Sequence, residues 1–293
     1  MIDSFLKYLT FEKRYSQHTI QSYQTDLLQF ESFLKLNYPD CNLLIVDYHI
    51  VRNWMVYLIE SKQSPRSVNR KIASLRSFYK FLLKRSKISK DPTNKIRILK
   101  SGKNIPDFVK ENEILKLFDE YDFGDSFEGI RDKLLLELLY GTGIRLSELI
   151  NARHKDISLF NQTIKVIGKR KKERIIPLNT ELQMLIKQYE LLKKQKFEKN
   201  GSEYLIVTNS GEMCYPMMVY RTVRKYLNLF AAIDKRSPHV LRHSFATHLL
   251  NKGAELNAVK DLLGHSSLAA TQVYTHNSLE KLKKVFDQAH PKA

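Results

Sequence analysis

The chain has 293 residues, with 49 Lys and Arg against 31 Asp and Glu, so its formal net charge is +18 at pH 7 and its pI is about 9.7. This charge favours a polyanionic partner, nucleic acid above all. Hydrophobic residues make up 43% of the chain and occur throughout it, which excludes a disordered basic tail and is enough for two domain cores.

The N-terminus and the cysteines indicate the compartment. Residues 1–5 (MIDSF) carry an acid where a secretory signal needs basic residues, and no run approaches the roughly 20 apolar residues of a membrane span. Cys41 and Cys214 do not form a C-x-x-C pair, so the sequence predicts neither a disulfide framework nor a cysteine zinc site. We therefore expect a cytoplasmic protein.

Two domains are predicted on either side of a short basic linker. Residues 100–106 (KSGKNIP) have no apolar periodicity and contain Gly and Pro, which is typical of a linker. Residues 1–99 show helical periodicity in three or four amphipathic segments, and residues 107–293 combine helices with a little strand. The predicted fold class is mainly α, or α+β, with one small β-hairpin in the second domain.

The clearest helix of the first domain is predicted to begin after Ser64. Ser64 can cap this helix and Pro65 fits its first turn. Its apolar face comprises Val68, Ile72, Leu75, Tyr79 and Leu82. Its other face carries cations and small polar groups that suit a phosphate backbone, namely Arg66, Asn69, Arg70, Ser74 and Ser77. An ordinary solvated face explains the same pattern, and the sequence leaves both interpretations open.

A β-hairpin with a cationic tip is predicted in the second domain. Residues 163–168 (TIKVIG) and 173–178 (ERIIPL) are rich in β-branched residues, and residues 169–172 (KRKK) connect them. Adjacent cations repel one another, and a polyanion against the tip would relieve that repulsion. Lys172 at this tip, and Arg174 on the strand that follows it, are candidate DNA contacts, with a solvated basic loop as the alternative.

A second group of candidates lies in SPHVLRH. His239 and Arg242 are three residues apart in a segment whose Ser-Pro start suits a helix, so they share a helical face and could bind a phosphate together. A metal site formed by His239, His243 and His248 is less favoured, because H-E-x-x-H is absent and Arg242 would place a positive charge beside the ion. Taken by itself, the segment is ordinarily interpreted as histidines packed in a helical core.

Two glycine-containing segments complete the set. In GTGIRLSEL the glycines end one helix and a second begins near Arg145, which Glu148 can orient from one turn away; a surface ion pair is the alternative. In LLGHSS the glycine ends a helix and leaves His265 in the turn before the helix that carries Tyr274. A lone tyrosine on such a helix is usually a packing residue.

In this order the segments resemble the tyrosine recombinase family, and its Xer-type members in particular. The matching motifs are GTGIRLSEL, VIGKRKKERIIPL, PHVLRHSFATHLL, LLGHSSLAATQVYTH and the terminal AHPKA. In the first domain, RYSQHTIQSYQTDLLQFESFL and SVNRKIASLRSFYKFL resemble the family's core-binding domain. The resemblance implies a helical, SAM-like core-binding domain and a mostly helical catalytic domain, which close around DNA as a C-shaped clamp.

The resemblance also implies the chemistry. The catalytic set would be Arg145, Lys169, His239, Arg242, His265 and Tyr274, with Glu148 supporting it. Tyr274 would attack the phosphorus without metal, ATP or another cofactor, while His239 accepts its proton and Lys169 protonates the departing 5′-oxygen. The family often has a glycine two residues after Gly168, where this chain has Arg170. We assign the acid to Lys169 rather than Lys172.

The implied partners are a double-stranded DNA recombination site and further subunits, as a homotetramer or as a heterotetramer with a paralogous recombinase. Control by a DNA translocase is left open. The stripe Leu279, Leu282 and Phe286 would dock on a neighbouring subunit, as in the family. The expected function is resolution of chromosome or plasmid dimers through a 3′-phosphotyrosine and a Holliday junction. The alternatives are the integrase or transposase of a mobile element, a type IB topoisomerase-like enzyme, and a DNA-binding accessory protein whose site is unused.

Overall fold

The computed structural model describes residues 1–100, 102, 107–168, 172–197, 202–264 and 288–289. The chain forms two compact units, Met1–Asn104 and Ile105–Ala293. None of the helices in the described ranges has the length and apolar character needed to cross a lipid bilayer.

The first unit is helical, as the sequence predicts. Its elements are α1 (Ile2–Lys7), a π-helical turn (Tyr8–Glu12), α2 (Gln17–Asn37), α3 (Tyr48–Glu60) and α4 (Pro65–Lys84). Side-chain oxygens cap three of the helices, because Ser16, Asp47 and Ser64 each accept a hydrogen bond from the backbone N–H three residues later. The core of the unit packs around Trp54 and Phe30, whose rings meet edge to face with centroids 4.9 Å apart.

Helix α4 confirms the predicted helix after Ser64. The Ser64 hydroxyl accepts from the Ser67 N–H at 3.2 Å, and Pro65 is the first helical residue. All five residues of the predicted apolar face are buried, with exposures of 1% or less: Val68, Ile72, Leu75, Tyr79 and Leu82. This face packs α4 against the core of the unit.

The second unit places a small sheet among helices. Its helices are α5 (Glu111–Asp119), α6 (Phe127–Gly141), α7 (Leu146–Asn151), α8 (Thr180–Lys196), α9 (Pro216–Phe230), α10 (Pro238–Asn251) and α11 (Leu256–Leu263), with a 3₁₀ turn at His154–Asp156. The antiparallel sheet has the order β1 (Ile157–Ser158), β2 (Thr163–Ile167) and β3 (Glu173–Pro177). The predicted hairpin is therefore confirmed. Strand β1 was not predicted, since two residues are too few to show alternation.

Helix α6 lies in the middle of the second core. Most of its residues are buried, and α8 and α10 pack against it. Its last turn is tied to α10 by a hydrogen bond between the Tyr140 hydroxyl and His248 Nδ1, 2.9 Å apart. Because α6 is fixed on several sides, the turn that follows it, including Gly143 and Arg145, has a defined position in the unit.

Candidate active site

A buried carboxylate, Glu148, lies at the centre of the candidate site. Its side chain is 2% exposed and accepts four hydrogen bonds. Oε1 accepts from Arg145 Nη1 and Arg174 Nη1, both at 2.7 Å, and Oε2 accepts from the Arg145 backbone N–H and Arg174 Nη2, both at 2.8 Å. A buried carboxylate with this many charge-assisted bonds is rigidly held.

These bonds control the ionisation of Glu148. Burial alone would raise the pKa of this carboxyl group, but the hydrogen bonds and charge of Arg174, together with the hydrogen bonds from Arg145, lower the pKa to about 2. Glu148 is therefore an anion at neutral pH, surrounded by cations that would otherwise repel one another.

Arg145 stands at the start of α7, as the glycine-containing segment predicts. Its backbone N–H and its guanidinium both bond Glu148, and Nη2 donates to the Gly264 carbonyl at 2.7 Å. The Arg145–Glu148 contact is not the surface ion pair that the sequence left open, because the carboxylate is buried. A guanidinium has five N–H donors, and these contacts use two of them.

Arg242 occupies the middle of α10 and is 8% exposed. Its Nη1 donates to the Gly143 carbonyl, and Nη2 donates to the Leu263 carbonyl at 2.6 Å. Burial and the positive charges of Arg145 and Arg174 lower the pKa of Arg242 to about 9, so its guanidinium is still charged at neutral pH. Among the described residues these two carbonyls engage two of its five N–H groups, and the others could donate to an oxyanion.

The C-terminal end of α11 joins these arginines. The last carbonyl groups of an α-helix have no N–H partner inside the helix and carry the negative end of its dipole. Here three successive carbonyls accept from three arginines on three different elements: Leu262 from Arg174 Nε at 2.8 Å, Leu263 from Arg242, and Gly264 from Arg145. We call Arg145, Arg174 and Arg242, with Glu148 and these carbonyls, the arginine cluster.

Gly143 shows how closely the arginine cluster is packed. Its φ of +58° is in the left-handed region, and a Cβ there would lie 2.5 Å from Phe245 Cδ1 and 2.9 Å from Leu263 Cδ2. We expect Gly143→Ala to lower the free energy of unfolding by about 2 to 5 kcal/mol, through backbone strain and overpacking. Denaturant unfolding of the purified protein measures this loss.

Gly253 provides a matched control for that substitution. It also has a positive φ, +86°, but a Cβ there would meet nothing within 4 Å. Gly253→Ala should therefore cost only the backbone strain, about 1 to 2 kcal/mol. Equal losses in the two variants would show that the close packing around Gly143 is unimportant.

The other predicted site residues fall into two groups. His239 lies in the first turn of α10 with an exposed side chain, one turn before Arg242, and Lys172 is exposed at the end of the hairpin. Gly168 donates its N–H to the Lys172 carbonyl at 2.7 Å, and a Cβ on Gly168 would lie 3.2 Å from Glu148 Oε1, so the hairpin end is adjacent to the arginine cluster. The remaining candidates lie outside the described residues: Lys169, Arg170, His265, Tyr274, Leu279, Leu282 and Phe286.

Two predicted phosphate contacts on α4 have other partners in the structure. Asn69 donates from Nδ2 to the Leu99 carbonyl and accepts from the Leu99 N–H, at 2.9 and 2.8 Å, so its amide fastens the end of the first unit to α4. Ser74 is buried and donates to the buried carboxylate of Asp26 at 2.7 Å. The polar groups of Asn69, a predicted DNA contact, and of Ser74, on the same predicted face, are thus hydrogen-bonded inside the unit.

The two arginines of this face remain candidates. Arg70 donates to Asp26 through Nη1, yet half of its side chain, 51%, is exposed. Arg66 is exposed in the first turn of α4. Both guanidiniums thus reach the surface of the first unit, and their contact with DNA stays a prediction.

Arg174, another predicted DNA contact, lies inside the second unit. Its side chain is 5% exposed and bonds Glu148 and Leu262 instead. The strand pattern contains the signal that sequence reasoning missed, because Arg174 and the buried Ile176 are two residues apart on β3 and so share a face. A cation on the core face of a strand requires a buried anion, and Glu148 is that anion.

The histidines of α10 do not form a metal site in the described part of the chain. His248 is buried, and its Nδ1 pairs with the Tyr140 hydroxyl in the core. Among the described residues no three His, Cys, Asp or Glu side chains lie close enough together to hold a metal ion. For His248, the packed core histidine that the sequence left open is the correct interpretation.

Comparison with known families covers both units. Residues 107–281 match the model of the phage integrase family, and residues 2–86 match that of the phage integrase N-terminal SAM-like domain. The chain is 38% identical over 317 residues to tyrosine recombinase XerC of Chlorobaculum parvum, covering 100% of this chain and 94% of the relative. It is also 38% identical over 291 residues to tyrosine recombinase XerC of Staphylococcus aureus, covering 99% and 96% of the two chains.

Solved structures share the fold. The XerH site-specific recombinase bound to palindromic difH, in a post-cleavage complex, matches with a TM-score of 0.73 at 22% identity, over 97% of this chain and 83% of that one. A lambda integrase tetramer bound to a Holliday junction matches with a TM-score of 0.66 at 18% identity, over 94% and 78%. The predicted fold class and family resemblance are confirmed. The chain belongs to the tyrosine recombinase family and is a XerC-like tyrosine recombinase.

Proposed function

We propose that this enzyme cuts and rejoins DNA at a specific site through a covalent bond between Tyr274 and the 3′-phosphate. The observation that carries the proposal is the arginine cluster, in which Arg145 and Arg242 are hydrogen-bonded to the carbonyls of Gly264 and Leu263, respectively. In the part of the chain that the structure describes, each of these guanidiniums uses two of its five N–H donors. Fixed donors of this kind stabilise the charge that builds up on the nonbridging oxygens of a phosphodiester during attack.

The remaining chemistry is assigned to residues of the family motif. The Tyr274 oxygen bonds to phosphorus while the bond from phosphorus to the 5′-oxygen breaks. His239 takes the phenolic proton, Lys169 protonates the departing 5′-oxygen, and His265 donates a hydrogen bond to the phosphate. Rejoining reverses these steps, so the phosphotyrosine stores the bond energy and neither ATP nor a metal ion is required.

The finer role that we propose is the resolution of chromosome or plasmid dimers in the cytoplasm. Support comes from full-length similarity to relatives named XerC. Strand exchange would pass through a Holliday junction in a tetramer, made of this chain alone or with a paralogous recombinase, with Leu279, Leu282 and Phe286 docking on the neighbouring subunit. Arg66, Arg70 and Lys172 are the proposed DNA contacts. That the two units surround the duplex as a clamp stays a prediction.

A covalent-trapping experiment tests the proposed nucleophile. Denaturing the protein after incubation with fragmented genomic DNA of its source, and sequencing the attached DNA, would recover the recombination site. A nicked duplex of that sequence should then give a covalent protein–DNA band, because the nick lets the cleaved fragment diffuse away. We expect Tyr274→Phe to abolish the band, since phenylalanine lacks the hydroxyl that attacks the phosphorus.

Tyr215→Phe is the matched control, because Tyr215 is an exposed tyrosine of the same unit and should form the band as the wild type does. A wild-type protein that never forms the band would contradict the proposed function. A Tyr274→Phe variant that still forms it would contradict the assignment of the nucleophile. Relaxation of supercoiled DNA that lacks the recovered site would favour the topoisomerase-like alternative.

A further inference from the structure

Arg174 is buried in the arginine cluster but is suited to a different task from Arg145 and Arg242. Within the described part of the chain it uses three of its five N–H groups, two on Glu148 and one on the Leu262 carbonyl, and its side chain is 5% exposed. We propose that Arg174 is a positioning residue, which orients Arg145 through Glu148 and holds the end of α11 in the active site. This inference rests on the proposed function.

Arg174 and Arg145 bind the same carboxylate, that of Glu148. Arg174 Nη1 and Nη2 donate to the two oxygens of Glu148 in a planar bidentate arrangement, which fixes the plane of the carboxylate. The same two oxygens receive the Arg145 guanidinium and the Arg145 backbone N–H. The orientation of the Arg145 guanidinium therefore depends on a carboxylate that Arg174 holds from the other side.

Arg174 also contacts the C-terminal end of α11. The Nε of Arg174 donates to the Leu262 carbonyl, next to the carbonyls that hold Arg242 and Arg145. Gly264 has a φ of +61°, and a Cβ on it would lie 3.0 Å from Arg174 Cδ. The end of the helix therefore packs directly against the aliphatic part of the Arg174 side chain. Arg174 thus ties β3 to the last turn of α11 at Leu262, three residues before His265 in the chain.

The position of Arg174 in the sheet explains why it is rigid. Its partner across the hairpin is Val166, which is buried, and the neighbouring pair Ile164 and Ile176 is buried as well. The side chain therefore leaves the core face of the sheet rather than the solvent face. Lysine could offer its charge to Glu148, but it lacks the fork that spans both carboxylate oxygens and the Leu262 carbonyl together.

The test compares Arg174→Met, Arg174→Lys and the control Arg153→Met, in which a partly exposed arginine paired with Glu203 is removed from the same unit. On the nicked duplex recovered by trapping, we expect Arg174→Met to lower the rate of covalent-complex formation at saturating DNA on the order of 10- to 100-fold, with little change in the Kd for DNA. Arg174→Lys should lie in between, and Arg153→Met should match the wild type.

A merely structural role would not produce this separation of rate from binding. Coupling to Glu148 is a second readout: Arg174→Met should slow the reaction by a smaller factor in a Glu148→Gln background than in the wild type, because the part of its effect that passes through Glu148 is already lost. A folded Arg174→Met protein with the wild-type rate would overturn the inference. If Arg174→Met does not fold, a wild-type rate in Arg174→Lys would overturn it instead.

Hydrogen exchange on the DNA-free protein separates this inference from the proposed function. Amide protons of α11 should exchange faster in Arg174→Met than in Arg153→Met, because the Leu262 carbonyl has lost its anchor. If the wild type forms no covalent complex, the proposed function fails, and faster exchange still supports the anchoring by Arg174. If exchange in α11 is unchanged, the anchoring is wrong whatever the activity.

Discussion

Replacing Arg242 with lysine is expected to slow formation of the covalent complex by on the order of 10²- to 10³-fold at saturating DNA, the range seen when one donor to a developing oxyanion is removed. The positive charge remains, but an ammonium group has too few N–H donors to bind the Gly143 and Leu263 carbonyls and two phosphate oxygens at once. Single-turnover cleavage of the nicked duplex measures the effect. We expect removal of the Arg145 guanidinium to slow cleavage at least as much.

The matched control for Arg242→Lys is Arg153→Lys, which makes the same change at a partly exposed guanidinium whose ion pair with Glu203 lies on the surface. Its rate should stay within a few-fold of the wild type, since exposed pairs contribute little. Unfolding curves of both variants are needed to show that the cleaving protein is folded. A folded Arg242→Lys protein with nearly wild-type cleavage would mean that fork geometry at this position does not matter.

Much of the fold could be predicted because its signals are local. A serine before a proline placed the start of α4, and β-branched runs on both sides of a cationic turn placed β2 and β3. Glycines marked the end of α6 and the end of α11, where Gly264 has the left-handed φ of a helix C-cap. Strand β1 could not be predicted, because it is defined by its pairing with β2 and has no local sequence pattern of its own.

The site could be predicted only in part. The pairing of Arg145 with Glu148 followed from their spacing, because residues three apart share a helical face. The role of Arg174 depends on which face of β3 meets the core, and those of Asn69 and Ser74 depend on Leu99 and Asp26, which are 30 and 48 residues away in the chain. Tertiary contacts of this kind decide whether a cation or amide binds DNA or the protein itself.

Glu148→Gln is expected to destabilise the protein by about 3 to 5 kcal/mol, the usual cost of leaving buried charges without their partner. The amide keeps one acceptor oxygen, but its NH₂ group faces Arg145 or Arg174 donors, and three guanidiniums lose their anion. Glu203→Gln, which removes an exposed carboxylate paired with Arg153, is the control and should cost less than about 1 kcal/mol. Similar losses in both variants would contradict the central role of Glu148.

The pH dependence of the stability difference between the wild type and Glu148→Gln shows independently whether the charge of Glu148 is responsible for it. The pKa of Glu148 is lowered in the folded protein from 4.5 to about 2, so its contribution is complete above pH 4.5. As the pH falls below 4.5, the unfolded chain takes up the proton first, and unfolding becomes easier until the folded carboxylate is protonated near pH 2. We therefore expect the gap in unfolding free energy between wild type and Glu148→Gln to stay constant from neutral pH down to 4.5 and then to shrink by up to about 3 kcal/mol. A gap that did not change with acid would mean that the shape of Glu148, rather than its charge, holds the arginine cluster together.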